Sequence, residues 1–318
     1  MARGYNEAAA RARSDQTTVL TGIHFLTTFA CNFACDHCFL WCGPEARGTF
    51  TADQVRAVLD EAVRLGSIET VCFEGGEPFL YYPLVLEGLR LARERGLAGG
   101  IVTNAYWATS AEDAALWLRP LADLGVASIL ISDDSLHYGH ERGVHAERVV
   151  AAARTLGMDA RVLCTERPAV QPRTADGSGA GPTLIAGGVM FRGRAAEKLV
   201  DGLPRRPASD LARCPHEDLK APRRVHVDGY GNIHLCQGLA MGNFWKVPLS
   251  EIVKSYDGPS HPIAGPLLRG GPAQLAREYG VPHEEAYVDE CHMCYRVRRA
   301  LIERFPEYLA PRQVYGLT

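Results

Sequence analysis

Three closely spaced cysteines are the residues of this sequence most suited to chemistry. Cys31, Cys35 and Cys38 form a C-x3-C-x2-C pattern directly after an apolar, strand-like run. Thiolates are the usual ligands of iron–sulfur clusters, and three on one loop can hold a cube of iron and sulfide with one iron left open. An open iron can bind a substrate or a cofactor. A zinc site with His37 or Cys42 as the fourth ligand is the alternative, because structural zinc takes four protein ligands.

A glycine-rich motif follows the next strand-like run. It is the tetrapeptide Gly75-Gly76-Glu77-Pro78. Glycines let the backbone approach a ligand closely, and a carboxylate suits an ammonium group. Such a tetrapeptide alone is typical of a turn. Its place one strand after the cysteine loop indicates that it binds part of the same cofactor.

The two motifs together resemble those of the radical S-adenosylmethionine (SAM) superfamily. CNFACDHC matches the C-x3-C-x-aromatic-C signature, with His37 where an aromatic residue is common, and GGEP matches the second motif. The resemblance implies a [4Fe–4S] cluster on Cys31, Cys35 and Cys38, with SAM on its open iron and residues 75–78 around the SAM amino group. It implies reductive cleavage of SAM to a 5′-deoxyadenosyl radical that abstracts a substrate hydrogen atom. The cofactor carries that chemistry while the protein orients it, and a flavodoxin- or ferredoxin-type donor would supply electrons.

Polar residues at later strand ends acquire candidate roles from the same resemblance. Contacts to SAM or substrate are implied for Thr103, Asn104, Ser132 and Arg194, the last as a partner of the SAM carboxylate. Asp133 is a candidate catalytic residue, and a helix N-cap is its alternative role, as it is for Asp134. Cys164 ends the fifth predicted strand, where a thiol can donate a hydrogen atom to a substrate radical, and ordinary packing is its alternative role. Cys72 lies inside a predicted strand and is interpreted as a core thiol.

Four cysteines in the C-terminal part of the chain predict a second metal site. They give the spacing C-x21-C-x54-C-x2-C and are Cys214, Cys236, Cys291 and Cys294. Four thiolates can close all the irons of a cube. The layout resembles the twitch domain, a shortened SPASM-type region that binds an auxiliary [4Fe–4S] cluster, and Cys214 is included on that resemblance alone. A four-cysteine zinc site is the alternative, because a C-x2-C pair suits zinc equally well.

Alternating strands and helices must position these residues. The predicted strands are residues 22–30, 68–74, 99–104, 127–133, 160–165 and 184–191. Strands that alternate with helices at this spacing predict right-handed βαβ units and a parallel sheet. The units are too few for an eight-fold barrel, so we predict a partial (β/α)6 barrel, with an open doubly wound sheet as the alternative. In both folds the active site lies at the C-terminal ends of the strands, where the motifs fall.

The helices between these strands have recognisable ends. They are predicted at residues 51–65, 84–95, 110–124 and 140–156. Thr51 and Gln54 form a capping box, and Gly66 occupies the C-cap position. Residues 167–182 are rich in proline and glycine and predict an exposed loop.

The strand–helix alternation is lost after about residue 204. Residues 224–236 predict two short strands around a turn, and helices follow at 249–256, 273–279 and 294–305. We therefore predict an N-terminal tail (1–21), a radical SAM core (22–203) and a small α+β twitch-like domain (204–318).

Composition excludes several classes of protein. Charged residues make up 22% of the chain and the net charge is −3, so no basic field is present to attract nucleic acid or an anionic membrane. No apolar run approaches the roughly 20 residues of a membrane helix, and residues 1–16 lack the apolar segment of a secretion signal. Ten cysteines in clustered spacings indicate metal chemistry rather than disulfides. A cytoplasmic protein is expected.

The predicted reaction is oxidative, a dehydrogenation or a bond formation. An auxiliary cluster can take the electron left by an oxidised substrate radical, although it can also only shape the pocket. The cysteine layout most resembles the aminocyclitol dehydrogenase type, which predicts a small-molecule substrate. Epimerisation or cross-linking of a ribosomally made peptide is the alternative, and only residues 1–21 precede the first strand, which is short for a peptide-recognition domain. A non-catalytic iron–sulfur or zinc protein is a third reading, against which the GGEP motif argues.

Overall fold

A mixed sheet of eight strands forms the centre of the computed structural model, which describes residues 20–171 and 184–317. The strands in chain order are β1 (Gly22–Thr28), β2 (Thr70–Gly75), β3 (Ala98–Thr103), β4 (Ser128–Ser132), β5 (Ala160–Leu163), β6 (Ala169–Gln171), β7 (Leu184–Ala186), β8 (Arg206–Pro207), β9 (Arg224–Asp228), β10 (Asn232–Cys236), β11 (Leu239–Asn243) and β12 (Ala286–Tyr287). The helices are α1 (Ala52–Leu65), α2 (Tyr82–Glu94), α3 (Ala111–Asp123), α4 (Ser135–Tyr138), α5 (Val144–Thr155), α6 (Ala195–Lys198), α7 (Leu249–Ser255), α8 (Ala264–Tyr279) and α9 (Glu290–Leu301).

The central sheet has the order β11-β10-β9-β1-β2-β3-β4-β5. Strands β1 to β5 are parallel neighbours in chain order, and helices α1, α2, α3 and α5 connect them. This architecture confirms the predicted α/β class with a parallel central sheet and a partial-barrel core. Within the described residues, no helix is long and apolar enough to cross a membrane.

The sixth parallel strand is not the one predicted at residues 184–191. Strand β7 pairs antiparallel with β6 in a separate two-stranded sheet. The sixth parallel strand is β9, which pairs with the free edge of β1 in the register Gly22↔Arg224 and His24↔His226. An unpaired edge exposes backbone donors and acceptors that a further strand can satisfy, and β9 satisfies those of β1.

The predicted boundary at residues 203 and 204 does not separate two sheets. Strands β9, β10 and β11 come from the predicted C-terminal domain, yet they extend the core sheet as β9 parallel to β1 and two antiparallel strands beyond it. The division into a core and a twitch-like domain stays a prediction from sequence, and hydrogen bonding runs across it. The strand–turn–strand prediction at 224–236 corresponds to β9 and β10.

The capping residues of α1 confirm the helix ends that were predicted from the sequence. Thr51 accepts from the Gln54 N–H while the Gln54 side chain accepts from the Thr51 N–H, so the capping box is present, and Gly66 ends α1 in the left-handed conformation. The helix predicted at 140–156 corresponds to α5, which begins only at Val144, and the separate short helix α4 precedes it. Gly139 and Gly143, with φ of 58° and 93°, separate the two helices, because glycine adopts this conformation without a Cβ clash.

Alternation along the strands gives the sheet two different faces. Phe25 of β1 and Phe73 of β2 are 0% exposed, stack with ring centroids 4.8 Å apart, and lie in the helix-covered core. Successive side chains of a strand point to opposite faces. His24 and Glu74 therefore lie on the other face, called here the inner face, which lines a cavity.

Two sequence predictions fall partly outside the described residues. The N-terminal tail lies there apart from residues 20 and 21. The loop predicted at 167–182 is described only to residue 171, and residues 169–171 of it form strand β6.

Candidate active site

A cavity of about 380 Å³ lies against the inner face of the sheet. This volume suits a cofactor or a small substrate, since ligand sites commonly measure about 300–1,000 Å³. The residues that line it come from the ends of successive strands and include all three cysteines of the first motif, with Gly75, Gly76, Thr103, Asn104 and Ser132. The structure therefore brings together, around one cavity, most of the side chains predicted to bind SAM and its cluster.

Arg194 fixes the loop that carries the three cysteines. Its backbone N–H donates to the Cys38 carbonyl at 2.9 Å, and its guanidinium donates to the carbonyls of Cys35 and Cys42. The guanidinium also lies over the Trp41 ring, 5.4 Å from the centroid. Arg194 is 8% exposed and does not line the cavity. The predicted pairing with the SAM carboxylate is therefore not what this geometry favours, because the guanidinium is committed to backbone carbonyls of the loop.

The three thiols differ in how readily they ionise. Burial raises the pKa of Cys31 to about 11 and that of Cys35 to about 12. A hydrogen bond from the Cys42 side chain and the charge of Arg194 lower the pKa of Cys38 to about 6. Metal ligation requires thiolates and releases protons from thiols. Cys38 is thus prepared as a thiolate, whereas the other two would ionise on binding a metal group.

The arrangement of the sulfurs bears on the zinc alternative. The ligand atoms of Cys35, His37 and His137 lie within 4.8 Å of one another, as a single ion requires. The three sulfurs of Cys31, Cys35 and Cys38 form no such group in the described part of the chain. Sulfurs on one tetrahedral zinc are about 3.8 Å apart, given a Zn–S distance of about 2.3 Å. The three sulfurs are therefore not arranged for a single tetrahedral ion, whereas Cys35, His37 and His137 are close enough to share one.

The glycines of the GGEP motif allow the backbone to approach the cysteine loop. A Cβ on Gly76 would lie 2.0 Å from the Ala30 carbonyl oxygen, and one on Gly75, where φ is 129°, would lie 2.6 Å from the Thr28 oxygen. The Gly76 N–H donates to Thr28 and the Glu77 N–H to Ala30. From the sequence, the backbone of these glycines was predicted to approach a ligand closely. The structure shows a close approach to the chain immediately before Cys31.

Glu77 joins the ends of strands β2 and β3. Its carboxylate is 0% exposed and accepts from the N–H of Phe79, the hydroxyl of Thr103 and the N–H of Asn104 at 2.7–2.9 Å. Burial nevertheless raises its pKa to about 7. Glu77 and Pro78 do not line the cavity. The predicted contact between the Glu77 carboxylate and an ammonium group is not formed by this geometry, in which the carboxylate organises the binding loop.

Asn104 links the third strand to the first cysteine. Its amide donates to the Asn32 side chain at 2.8 Å and lies 3.8 Å from the Cys31 sulfur. Thr103 and Ser132 line the same cavity. These three residues keep their predicted role as candidate contacts of SAM or substrate.

The two aspartates after β4 cap loops and helices. Both Asp133 oxygens accept from the Gly143 N–H at 2.8 and 2.9 Å, directly before α5, and Asp133 does not line the cavity. Asp133 thus holds the N-cap residue of α5 without being a helix N-cap itself, and its catalytic role stays a prediction that this geometry does not favour. Asp134 accepts from the N–H groups of Leu136 and His137 and is the N-cap of α4. It also lines the cavity and lies 2.9 Å from His137 Nδ1.

Cys164 lies outside the cavity. Leu163 and Thr165 line it, while Cys164 between them is exposed and donates to Glu166 at 3.4 Å. Alternation along an extended chain explains this, because neighbouring side chains point to opposite faces. The candidate hydrogen-atom donor thus lies off the cavity, and its role stays a prediction that this geometry does not favour.

Several cavity residues escaped the sequence analysis. His24, Cys72, Glu74 and Arg224 all line the inner face, and Cys72 is not the core thiol it was predicted to be. The sequence did contain a signal that these residues share a face of the sheet. Cys72 and Glu74 are two residues apart in β2, as are Arg224 and His226 in β9. Which face of the sheet would meet the cysteine loop is not readable from that pattern.

The four C-terminal cysteines meet at one place. Cys236 ends β10, Cys291 and Cys294 lie in α9, and Cys214 lies in the loop after β8. All four line one small cavity. No three of their sulfurs all lie within 4.8 Å of one another in the described structure, whereas the sulfurs of a tetrahedral zinc site are roughly 3.8 Å apart.

Two buried arginines face these cysteines. Arg192 is 5% exposed and its Nη1 lies 2.9 Å from the Cys236 sulfur, while Arg298 is 2% exposed with Nη2 at 3.9 Å from the same atom. The Nε of each has no hydrogen-bond partner among the described residues. Buried cations require a nearby anion. Glu217 lies 3.7 Å from Arg192 Nη1, and a group with four thiolates would supply further negative charge to both arginines, so this site fits an anionic metal–thiolate centre.

A short segment touches both cysteine sites. Arg192 lies over the Phe39 ring, 5.1 Å from the centroid, and also contacts Cys236. Arg194, two residues on, holds the carbonyls of the first loop. A Cβ on Gly193 between them would lie 2.4 Å from Phe39 Cα. The two predicted metal sites are therefore connected by three consecutive residues.

The fold and this cavity agree with the family match found by comparison. Residues 25–159 match the family described as the radical SAM superfamily. This part of the chain is therefore similar to the radical SAM superfamily domain, and that superfamily implies SAM and a [4Fe–4S] cluster as cofactors. The matched range includes the three-cysteine loop and the GGEP motif.

Two curated proteins are similar to this chain over part of their length. A protein of Bacillus subtilis called putative peptide biosynthesis protein YydG is 25% identical over 107 residues, which are 34% of this chain and 34% of that protein. A tungsten-containing aldehyde ferredoxin oxidoreductase cofactor-modifying protein of Pyrococcus furiosus is 32% identical over 110 residues, 34% of this chain and 29% of that protein. The similarity therefore spans about a third of these relatives.

Two solved structures of radical SAM enzymes match most of this chain. BtrN in complex with AdoMet and 2-DOIA is 16% identical, with a TM-score of 0.46, and the match covers 74% of this chain and 82% of that one. Streptococcus suis SuiB bound to S-adenosylmethionine is 13% identical, with a TM-score of 0.43 and a coverage of 80% and 70%.

Proposed function

We propose that this chain cleaves SAM reductively and abstracts a hydrogen atom from a substrate held in the cavity. The observation that carries the proposal is the meeting of the three-cysteine loop with the Gly75–Gly76 backbone at the mouth of one cavity. The family match over residues 25–159 supports the same chemistry. When bound, the cluster and SAM supply an organic radical, and the protein orients it.

The chain's own residues have separable tasks in this proposal. Cys31, Cys35 and Cys38 bind the cluster, and Arg194 keeps their loop in position through its backbone carbonyls. Gly75 and Gly76 present backbone to the cofactor. The inner face beneath them encloses the substrate away from bulk water, which protects a reactive radical from side reactions.

Reduced, reconstituted protein is expected to convert SAM to 5′-deoxyadenosine and methionine. Cys35→Ala should abolish this conversion because the open-iron cluster loses a ligand. Cys164→Ala is the matched control, since this thiol is exposed on the other face and should be dispensable for both cleavage and product formation. Chromatography of the nucleoside products measures the outcome. Cleavage that survives Cys35→Ala would contradict the assignment of the loop, and product loss in Cys164→Ala would restore its role as a donor.

We further propose that Cys214, Cys236, Cys291 and Cys294 hold an auxiliary [4Fe–4S] cluster that serves an oxidative reaction. Support comes from the meeting of the four cysteines around one small cavity and from the buried charges of Arg192 and Arg298 beside them. Reduction adds a negative charge to a cluster. Nearby buried cations stabilise that charge, which favours a centre able to accept an electron.

Replacement of Arg192 should lower the reduction potential of this centre. Arg192→Gln removes a buried positive charge next to Cys236, so the reduced form is destabilised and the potential is expected to fall by tens of millivolts. Arg192→Lys keeps the charge and should retain most of the potential. A redox titration followed by electron paramagnetic resonance measures both variants. An unchanged potential in Arg192→Gln, with iron content retained, argues against this electrostatic role.

Two substrate classes fit the cavity, and an experiment separates them. A small molecule is the first proposal, with a flavodoxin- or ferredoxin-type protein as electron donor. A peptide is the second candidate, favoured by similarity to the putative peptide biosynthesis protein YydG. Candidate peptides and polyols encoded or made by neighbouring genes are incubated with reduced enzyme and SAM. A product lighter by two hydrogen atoms supports oxidation, whereas a product of unchanged mass in H2O that becomes one mass unit heavier in D2O supports epimerisation.

A further inference from the structure

Three side chains on three adjacent strands converge on the inner face. His24 lies in β1, Glu74 in β2 and His226 in β9. In the register of the strands, His24 lies opposite His226 and Leu26 lies opposite Glu74. Glu74 is therefore on the same face as His24, two residues further along the strand direction. Parallel strands hold these positions rigidly, which is how precise ligand geometry is usually built.

The polar atoms of this group approach one another as ligands of one ion do. His24 Nδ1 lies 3.3 Å from one Glu74 oxygen and His226 Nε2 lies 3.1 Å from the other. One donor atom from each residue lies within 4.8 Å of the other two. The two imidazole rings are 5.0 Å apart at an interplanar angle of 67°. They therefore turn their edges together instead of stacking.

Two nitrogen atoms of this group have no hydrogen-bond partner within the described structure. The Nδ1 atoms of both His24 and His226 are buried without a hydrogen-bond partner among the described residues. His24 Nδ1 lies 3.3 Å from Glu74 Oε2 but forms no hydrogen bond with it. Buried polar atoms normally have a partner. A positive ion between the His24 nitrogen and the carboxylate would satisfy that nitrogen without requiring hydrogen-bond geometry.

We propose that His24, Glu74 and His226 bind one divalent transition-metal ion. Two imidazoles and one carboxylate are the protein ligands of catalytic zinc sites and of mononuclear iron(II) sites with open positions. His24 and Glu74 line the cavity, so the open positions of the ion face the space in which a substrate would lie. This site shares no ligand with either cysteine site, although it lines the same cavity as the first, and it does not depend on the proposed radical reaction.

The ligand class that fits such an ion is a substrate with a carboxylate or a pair of hydroxyl groups. These groups chelate divalent ions through oxygen. Arg224 lies two residues before His226 in the same strand and lines the cavity, so its guanidinium is available to a negative group on the metal-bound molecule. A purely electrostatic His–Glu–His network, which needs no metal, is the competing explanation.

Manganese(II) binding to the reconstituted full chain tests the proposal. Manganese prefers oxygen and nitrogen to thiolate ligands, which keeps it off the cysteine sites, and a prior EDTA wash removes loosely held mononuclear iron. The free-ion signal in electron paramagnetic resonance reports binding. We expect one ion per wild-type chain. Glu74→Gln and His226→Ala should each weaken binding by more than about tenfold, while His283→Ala, at an exposed histidine outside the group, should not.

Iron content and melting temperature of each variant are measured beside the titration. Variants that keep the wild-type iron content and melting temperature but lose manganese support the site. Absence of stoichiometric manganese in the loaded wild-type protein, or binding that Glu74→Gln leaves unchanged, would overturn it. Both results are independent of SAM cleavage, so a failed radical reaction does not affect the conclusion.

Discussion

Anaerobic reconstitution is expected to load about eight irons per wild-type chain and about four when Cys31, Cys35 and Cys38 are all replaced by alanine. Each cube holds four irons, and the three cysteines of the first loop line one cavity while the second set lines another. Iron and sulfide analysis measures the change. SAM cleavage should disappear in the same variant, because the remaining cluster has four thiolates and no open iron.

A variant that lacks cysteines of the second site shows which irons belong to which site. Cys291→Ala/Cys294→Ala should also retain about four irons, but these belong to the first loop and should still support SAM cleavage. Cys164→Ala, at an exposed cysteine outside both sites, should keep the full complement. A wild type with about four irons, falling to almost none without the first loop, would leave the C-terminal cysteines as zinc ligands or plain thiols and remove the main support for an oxidative reaction.

Gly76→Ala is expected to disrupt the first cluster site more than any other single methyl addition in the GGEP motif. The added Cβ would lie 2.0 Å from the Ala30 oxygen and 2.7 Å from the Ala30 carbonyl carbon. These are backbone atoms next to Cys31, so relief requires the cysteine loop to move. Overpacking of this kind costs about 1–3 kcal/mol or more. We expect a lower melting temperature, loss of most of the irons of the first site, and loss of SAM cleavage.

Gly43, which follows the three cysteines in the chain, provides the control. A Cβ on Gly43 would meet only the Ala34 Cβ at 3.8 Å and the Arg194 guanidinium at 3.9 Å, which are ordinary contacts. Gly43→Ala keeps the backbone hydrogen bonds with Phe29 and Cys31. It should therefore retain iron and activity. If Gly76→Ala behaves like Gly43→Ala, the close approach of the two loops is not what holds the first site.

Elements with a strong local signal were predictable from sequence. Helix α1 begins with a capping box at Thr51 and ends at Gly66, because capping depends on residues within a few positions of each other. Ser110, the first residue of the helix predicted at 110–124, is likewise the N-cap of α3. The parallel order of β1 to β5 followed from their alternation with helices.

Elements that depend on distant partners were not predictable. Strand β7 was expected in the main sheet, but residues 184–186 pair with β6 instead. Strand β9 was expected in a separate domain, but it completes the edge of β1. Strand pairing joins residues far apart in sequence, and a short apolar run carries no information about its partner.

The candidate site divides in the same way. Sequence alone determined which residues carry chemistry, since the spacing of Cys31, Cys35 and Cys38 and the GGEP motif are local patterns that the family match covers. Only the tertiary structure decided which side chains face the cavity. It turned Cys164 away from the cavity, placed Asp133 and Arg194 in supporting contacts, and brought His24, Glu74 and His226 together. The physical reason is that side-chain direction follows the register and pleat of paired strands, and these are fixed only when strands distant in sequence meet in the folded sheet.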